Sequence, residues 1–239
     1  KIITEINRHY TGFYLGLTSE IQAVFAELGK TCKTKEIISK IDTDDNRDAT
    51  RACFLMEDHP GLFSRLAGAI ALAGANVIDA RTYTTSDSYA TAVFWLQSNE
   101  GKPFEENRLN RLNRTIKDAL KGKIIPRDAL KEKGKIRKKE KDFKVPTNIT
   151  FDNEGSEIYT IIEIDTRDRL GLLHDLARTL ANNNVTIVSA IIATYGEQAV
   201  DTFYVKDLFG LKLHSENKRL KLAAKIQEAI EAGTLIGTD

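Results

Sequence analysis

The residues whose types and spacing point to chemistry fall into two groups: acid and histidine pairs that imitate metal sites, and two acidic loops that each run into a glycine. Asp42-Thr43-Asp44 has the spacing of a carboxylate pair that holds a divalent ion. No strand and Gly-Ser element precedes it, and Asp42 to Asp48 contains no apolar residue, so it reads as a polar turn at a boundary. His174-Asp175 imitates a phosphohydrolase metal dipeptide, yet that chemistry needs further ligands, and His9, His59 and His214 sit in unrelated segments. His174 is expected on the exposed side of a helix. Cys32 and Cys53 form no Cys-x-x-Cys pair and no disulfide framework, which fits a reducing compartment. No spacing points to a Ser-His-Asp or Cys-His nucleophile. No catalytic residue and no metal ligand is assigned.

Asp58-His59-Pro60-Gly61 and Asp168-Arg169-Leu170-Gly171 form the second group, and they are one pattern written twice. With a constant offset of 110 residues, Gly61 falls on Gly171, Leu62 on Leu172, Leu66 on Leu176, Val77 on Ile187, Ala80 on Ala190 and Phe94 on Tyr204. The chain is an internal duplication. In each copy the loop is followed by apolar residues at helical spacing and then by β-branched residues at period two, which predicts a strand, a tight turn into a helix and a return strand. Asp58 or His59 is expected to cap the first helix, with Pro60 as its first residue. Gly61 and Gly171 are expected where loop backbone passes close to a neighbouring strand.

The elements that position these loops follow from length and pattern. With 41% apolar residues, 239 residues bury one large core or two modest ones, and the duplication favours two. Lys plus Arg (35) balances Asp plus Glu (34), so nucleic acid is not expected as a partner. No apolar run approaches the roughly 20 residues of a membrane span, and Lys1 opens no secretory segment. A cytoplasmic protein is expected, and the missing initiator Met reads as the mark of a piece of something longer.

Residues 1–47 read as a partly helical segment, with Thr18-Ser19-Glu20 capping a helix that carries Ile21, Val24, Phe25 and Leu28. The first repeat, 48–125, has strands at 51–56, 76–85 and 89–97, a helix at 62–73 and another from Pro103 to Gly122. Residues 126–152 hold a basic linker, including Lys138 and Lys139, read as a solvated segment with an anion or nucleic-acid contact as the alternative, and a strand at 147–151. That strand, or 123–125, is expected to return to the first repeat as its fourth strand. The second repeat, 153–239, has strands at 158–165, 186–194 and 199–206, a helix from Leu172 to Ala181, and one capped by Ser215 that ends at Gly233. Leu235-Ile236 is all that remains for a last strand.

Each repeat approaches β-α-β-β-α-β, the ferredoxin-like α+β fold: two antiparallel sheets, each with helices on one face. Fold does not give function, so the tenants of the fold are compared. An RNA-recognition module needs glycines and a basic lead residue in the third strand, which Ala90 to Trp95 and Val200 to Tyr204 lack. A copper carrier needs two thiolates in the first loop, which is absent. The residues resemble the ACT domain instead: Asp58-His59-Pro60-Gly61-Leu62-Phe63 with Asn76, and Asp168-Arg169-Leu170-Gly171-Leu172-Leu173, which departs at Leu170, where that family usually has Pro. Asp152-Asn153, Thr160 to Glu163, Ala193 to Glu197 and Asp201 to Asp207, with Arg47 to Phe54 and Asp79 to Tyr83 in the first repeat, narrow the resemblance. They are similar to the C-terminal tandem ACT region of the bifunctional PII uridylyltransferase/uridylyl-removing family, over nearly all residues after about 10.

That resemblance implies a glutamine-sensing regulatory segment that does not itself catalyse. The parent would transfer UMP from UTP to a tyrosine of PII when glutamine is low and remove it when glutamine is high, using Mg or Mn in upstream domains. The implied partners are L-glutamine, the catalytic domains of the same polypeptide, PII and another ACT surface, with no nucleic acid and no membrane. No cofactor is expected in the segment. The alternatives are a free-standing ACT-repeat regulator of another amino acid and a non-sensing association module whose sheet edges pair.

A free amino acid needs N–H donors for its carboxylate and acceptors for its ammonium. The helix starts after Asp58-His59-Pro60-Gly61-Leu62 and Asp168-Arg169-Leu170-Gly171-Leu172 offer unpaired N–H groups. Asn76-Val77-Ile78 and Thr186-Ile187-Val188, at the start of each second strand, are expected beside the partner repeat and able to read the side chain. The first repeat keeps both Pro60 and Asn76, where the second has Leu170 and Thr186, so its loop and strand are expected to form the better site.

Overall fold

The computed structural model describes residues 2–9, 16–31, 37–122 and 146–235. The basic run 127–144, the alternative strand 123–125, Phe13 to Leu15, Cys32 and Ile236 lie outside the described residues. Helices α1 (Ile2–Ile6) and α2 (Ser19–Thr31) lead into β1 (Ile38–Asp44), β2 (Ala49–Glu57), α3 (Leu62–Leu72), β3 (Asn76–Thr84), β4 (Tyr89–Gln97) and α4 (Glu106–Leu120). The second repeat comprises β5 (Asn148–Asp152), β6 (Thr160–Arg167), α5 (Leu172–Asn182), β7 (Val185–Tyr195), β8 (Gln198–Asp207) and α6 (Glu216–Leu235).

All eight strands form one antiparallel sheet in the order β1-β2-β4-β3-β7-β8-β6-β5. The ferredoxin-like layering holds in both repeats, but the fourth strand of each comes first in the chain. β1 pairs with β2, and β5, which the sequence assigns to the first repeat, pairs with β6. A hairpin between consecutive strands closes a short loop at low entropic cost, and this displaces any strand arriving from the far end of a repeat. Asp42 and Asp44 therefore lie on a strand and not in a turn: Arg51 donates to both oxygens of Asp42 at 2.9 Å, and the Trp95 Nε1–H donates to Asp44 at 2.8 Å. At the other end, Leu235 finishes α6, which is capped as expected by Ser215 (Lys218 N–H to Oγ, 3.4 Å).

The two repeats join edge to edge, β3 against β7, with Asp79 opposite Ile191, Ala80 opposite Ala190 and Arg81 opposite Ser189. Ala80 and Ala190 are equivalent residues, so a pseudo-two-fold axis passes between them. Both edges carry a bulge at equivalent places, after Val77 and after Ile187. Thr82 Oγ1 donates to Ile187 O (2.9 Å) and Ser189 Oγ to Ala80 O (3.3 Å), tightening the seam. Above it α3 packs on α5, and His174 Nδ1–H donates to Ser64 O at 2.8 Å. His174 is buried, 7% exposed, because its helix face meets the other repeat and not solvent.

Beyond the β7–β8 hairpin the constant offset fails. Phe94 lies opposite Ala80, and the residue opposite Ala190 is Phe203, not Tyr204. The turn between β7 and β8 is one residue shorter than that between β3 and β4, so the offset drops to 109 along the strand. Phe94 and Phe203 are both fully buried between sheet and helices.

A continuous core between the sheet and α3 to α6 includes Leu66, Ile70, Ile116, Ile162, Leu176 and Ile226. The first repeat has a second core on the opposite face, where Ile21, Val24, Phe25 and Leu28 of α2 pack on Cys53, Leu55, Val93 and Trp95. Burial there pushes the Cys53 thiol up to about 12, which makes it unreactive.

Candidate functional site

The two glycine loops have the same backbone. His59 to Leu62 is closed by Leu62 N–H to His59 O at 3.1 Å, and Arg169 to Leu172 by Leu172 N–H to Arg169 O at 3.1 Å. Gly61 has φ 80 and ψ 8, Gly171 φ 82 and ψ 2, as at the third position of a type II turn. Pro60 suits the position before it, and Leu170 serves as well because only the glycine position requires positive φ. A Cβ on Gly61 would meet nothing closer than Ser64 Oγ at 3.7 Å, so backbone conformation and not strand crowding selects glycine. Gly61 and Gly171 also occupy the cap positions expected of Asp58 or His59, and neither helix has a side-chain cap. The helix starts thus keep first-turn N–H groups and the positive end of the dipole available to an anion.

Each loop is pinned on two sides. The Asp58 N–H donates to Ser88 O (2.9 Å) and the Asp168 N–H to Glu197 O (2.8 Å), tying loop to hairpin. Thr84 Oγ1 adds a bond to Asp58 Oδ2 at 2.7 Å. On the other side Arg65 bridges His59 Nε2 (2.7 Å) and Leu120 O of α4 (2.6 Å). The second repeat reverses the donors: Arg169, in the loop, meets Asp175 (2.7 Å) and Ala229 O of α6 (3.4 Å). Arg169 is therefore a tie between loop and helix.

Leu62, Leu172, Val77 and Ile187 are buried walls of the core. Ile78 packs toward the α2 side of the sheet, away from the loops. Asn76 and Thr186 are exposed, and the Asn76 amide has only a long 3.5 Å contact to Ser98 O. The eleven residues of α3 separate Gly61 from Asn76 by roughly 16 Å at 1.5 Å per residue, so loop and strand start of the first repeat do not converge. The Gly61 loop instead faces the end of α5, its Cβ direction 3.9 Å from the Ala181 side chain. From there Asn184, at φ 61, turns the chain into β7 and Thr186. The fold thus brings the loop of one repeat toward the strand start of the other.

Asp201 was not among the expected residues. β8 presents Ala199, Asp201, Phe203 and Val205 to the helices, and Asp201 lies opposite Ile164 and Ile192, where the first repeat has Ala92 opposite Phe54 and Thr82. It is 2% exposed, and its Oδ1 has no hydrogen-bond partner among the described residues. Burial, then the charge of Asp168, pushes its carboxyl up to about 8. The signal in the sequence is an acid at an apolar period-two position, hidden while the 110 offset placed it one residue out of register.

On the far face of the first repeat, a shallow recess is lined by Leu17, Arg47, Arg51, Arg81 and Trp95. Its cations have partners already: Arg51 pairs with Asp42, and Arg47 pairs with Asp79 while lying 4.0 Å over the Trp95 ring. Among the described residues no three His, Cys, Asp or Glu side chains gather as metal ligands, and no described helix is long and apolar enough to cross a membrane.

Residues 53–106 match the family described as ACT domain, and residues 148–235 the one described as ACR9-like, ACT-like domain. The chain is 57% identical over 237 residues to a bifunctional uridylyltransferase/uridylyl-removing enzyme of Ruegeria pomeroyi, covering 98% of this chain and 26% of that protein. The chain is a tandem ACT region of this enzyme family. A relative of the same description from Cereibacter sphaeroides is 58% identical over 229 residues (96% of this chain, 25% of that one), and one from Rhodospirillum rubrum 37% over 231 residues (95% and 24%). The tandem ACT region spans about a quarter of the length of these relatives. Its two ACT domains pair within one chain, through β3 and β7.

Proposed function

We propose that this tandem ACT region senses glutamine and regulates a PII uridylyltransferase/uridylyl-removing enzyme of the cytoplasm. The observation that supports it most is the placing of the Gly61 helix start against the other domain, at Ala181. A ligand held there touches both domains, so its binding favours one arrangement of the pair over others, and a coupling of about 1–3 kcal/mol changes the output of attached catalytic domains severalfold or more. Those domains would carry out UMP transfer from UTP to PII and UMP removal, and would hold the Mg or Mn.

Isothermal titration of the tandem ACT region with each of the twenty amino acids tests the reading. Saturable heat is expected with L-glutamine and little with the others. Tighter binding of a different amino acid would replace glutamine by that ligand, and the absence of heat with all twenty would leave association between domains as the role.

A further inference from the structure

We propose that the second ACT domain holds the tighter amino-acid site and that the ligand's α-ammonium group is received there by Asp201 and Asp168, beneath the first turn of α5. This rests on the amino-acid-sensing reading and extends it to a named acceptor pair.

The fold does not require an acid at Asp201. Ala92 fills the equivalent place in the first domain, opposite Phe54, and both are fully buried. Asp201 is equally buried, with Oδ1 unpartnered, and a carboxyl in that condition destabilises the free protein unless a ligand completes it. The nearest cations in sequence are engaged elsewhere: Arg167 meets Glu197 at 3.2 Å, and Arg169 is held by Asp175 and Ala229 O. His174 turns to Ser64 of the other domain. Of the polar groups on the same face of β6, the Thr166 hydroxyl is taken up at 2.8 Å by Thr147. Asp168, in electrostatic reach of Asp201, is exposed and marks the side from which a ligand enters.

The donors follow Asp168 in the same loop. The amides of Leu173 and His174 stand in the first turn of α5, ahead of the Asp175 N–H that closes on Gly171 O at 3.0 Å. In an α-amino acid the carboxylate and ammonium are carried by one carbon, so a helix start beside two carboxyl groups matches a zwitterion. The first domain has the helix start and Asp58, but Ala92 stands where the second domain has Asp201, so it lacks the buried second acid.

Burial keeps Asp201 protonated near neutrality, so receiving an ammonium displaces its proton to solvent. The experiment is calorimetry of L-glutamine and of its deamino analogue, 4-carbamoylbutanoate, on the whole chain and on its Asp201→Asn and Asp168→Asn variants, at pH 6.5 in buffers of different ionisation enthalpy. The wild type should prefer glutamine to the analogue and release close to one proton per ligand. Asp201→Asn, isosteric with the neutral acid, should weaken glutamine roughly tenfold or more, lose most of the preference and release no proton. Asp168→Asn, an exposed change that spares the fold, should weaken glutamine by a smaller factor with the analogue unaffected. Glutamine binding in both variants within about threefold of wild type, with proton release intact, would overturn the acceptor pair and leave sensing in place. No heat with wild type would overturn sensing itself.

Discussion

The two ACT domains share a backbone down to the φ of their turn glycines, and they differ in what lies on either side of the sheet. In the first domain β2 is buried at every residue from Ala49 to Met56, because α2 covers the face that α3 and α4 leave open. In the second, β6 alternates, with Thr160, Ile162, Ile164 and Thr166 buried and the residues between them not, because its back face has no such cover among the described residues. On the helix side, buried Ala92 of the first domain gives way to buried Asp201 in the second. One repeat was thus built for a second layer of packing, and the other carries a buried acid. Sheet and turn geometry are set by the fold; cover and chemistry vary independently on it.

The comparison breaks most visibly at α2. Phe25 is fully buried, and Phe25→Ala should cost about 3–5 kcal/mol, read as a lower urea midpoint, with hydrogen exchange rising in α2 and on β2 and much less on β6. Uniform exchange across both domains would show that they unfold together.

Asp201 gives a contrast with pH. Its folded value lies near 8 against an ordinary 3.8, so the native state holds a proton that the unfolded chain has released. Stability is full below about pH 4 and declines as pH rises toward about 8. Asp201→Asn should remove that slope and make the protein about 1–3 kcal/mol more stable than wild type at pH 8, measured by urea unfolding from pH 5 to 8.5. Parallel curves would mean that the carboxyl is satisfied in solution.

The glycine turns sharpen what is shared. Gly61→Val and Gly171→Val should each cost about 1–2 kcal/mol, and nearly the same amount, since the φ values are 80 and 82. Unequal losses in thermal melts would mean that surroundings and not backbone set the cost. The smallest effect belongs to the linker: Lys138→Ser with Lys139→Ser should leave glutamine affinity within about threefold, as for charges outside a site and screened by salt.

The sequence by itself determined the duplication, three strands and both helices of each repeat, the glycine turns and the helix carried by Ile21, Val24, Phe25 and Leu28, because hydrophobic period and turn chemistry are local properties. The unbroken apolar run at Ala52 to Met56 fits a strand sheltered on both faces, but that α2 supplies the second cover is seen only in the packing. Tertiary structure decided which strand fills each sheet edge, because β1 and β5 compete with other segments only through pairing across the sheet. It decided the burial of His174, whose partner Ser64 lies 110 residues away. It decided the place of Asp201 as well: a hairpin shorter by one residue reverses every side chain after it, and period two cannot tell the two faces apart until the register is known.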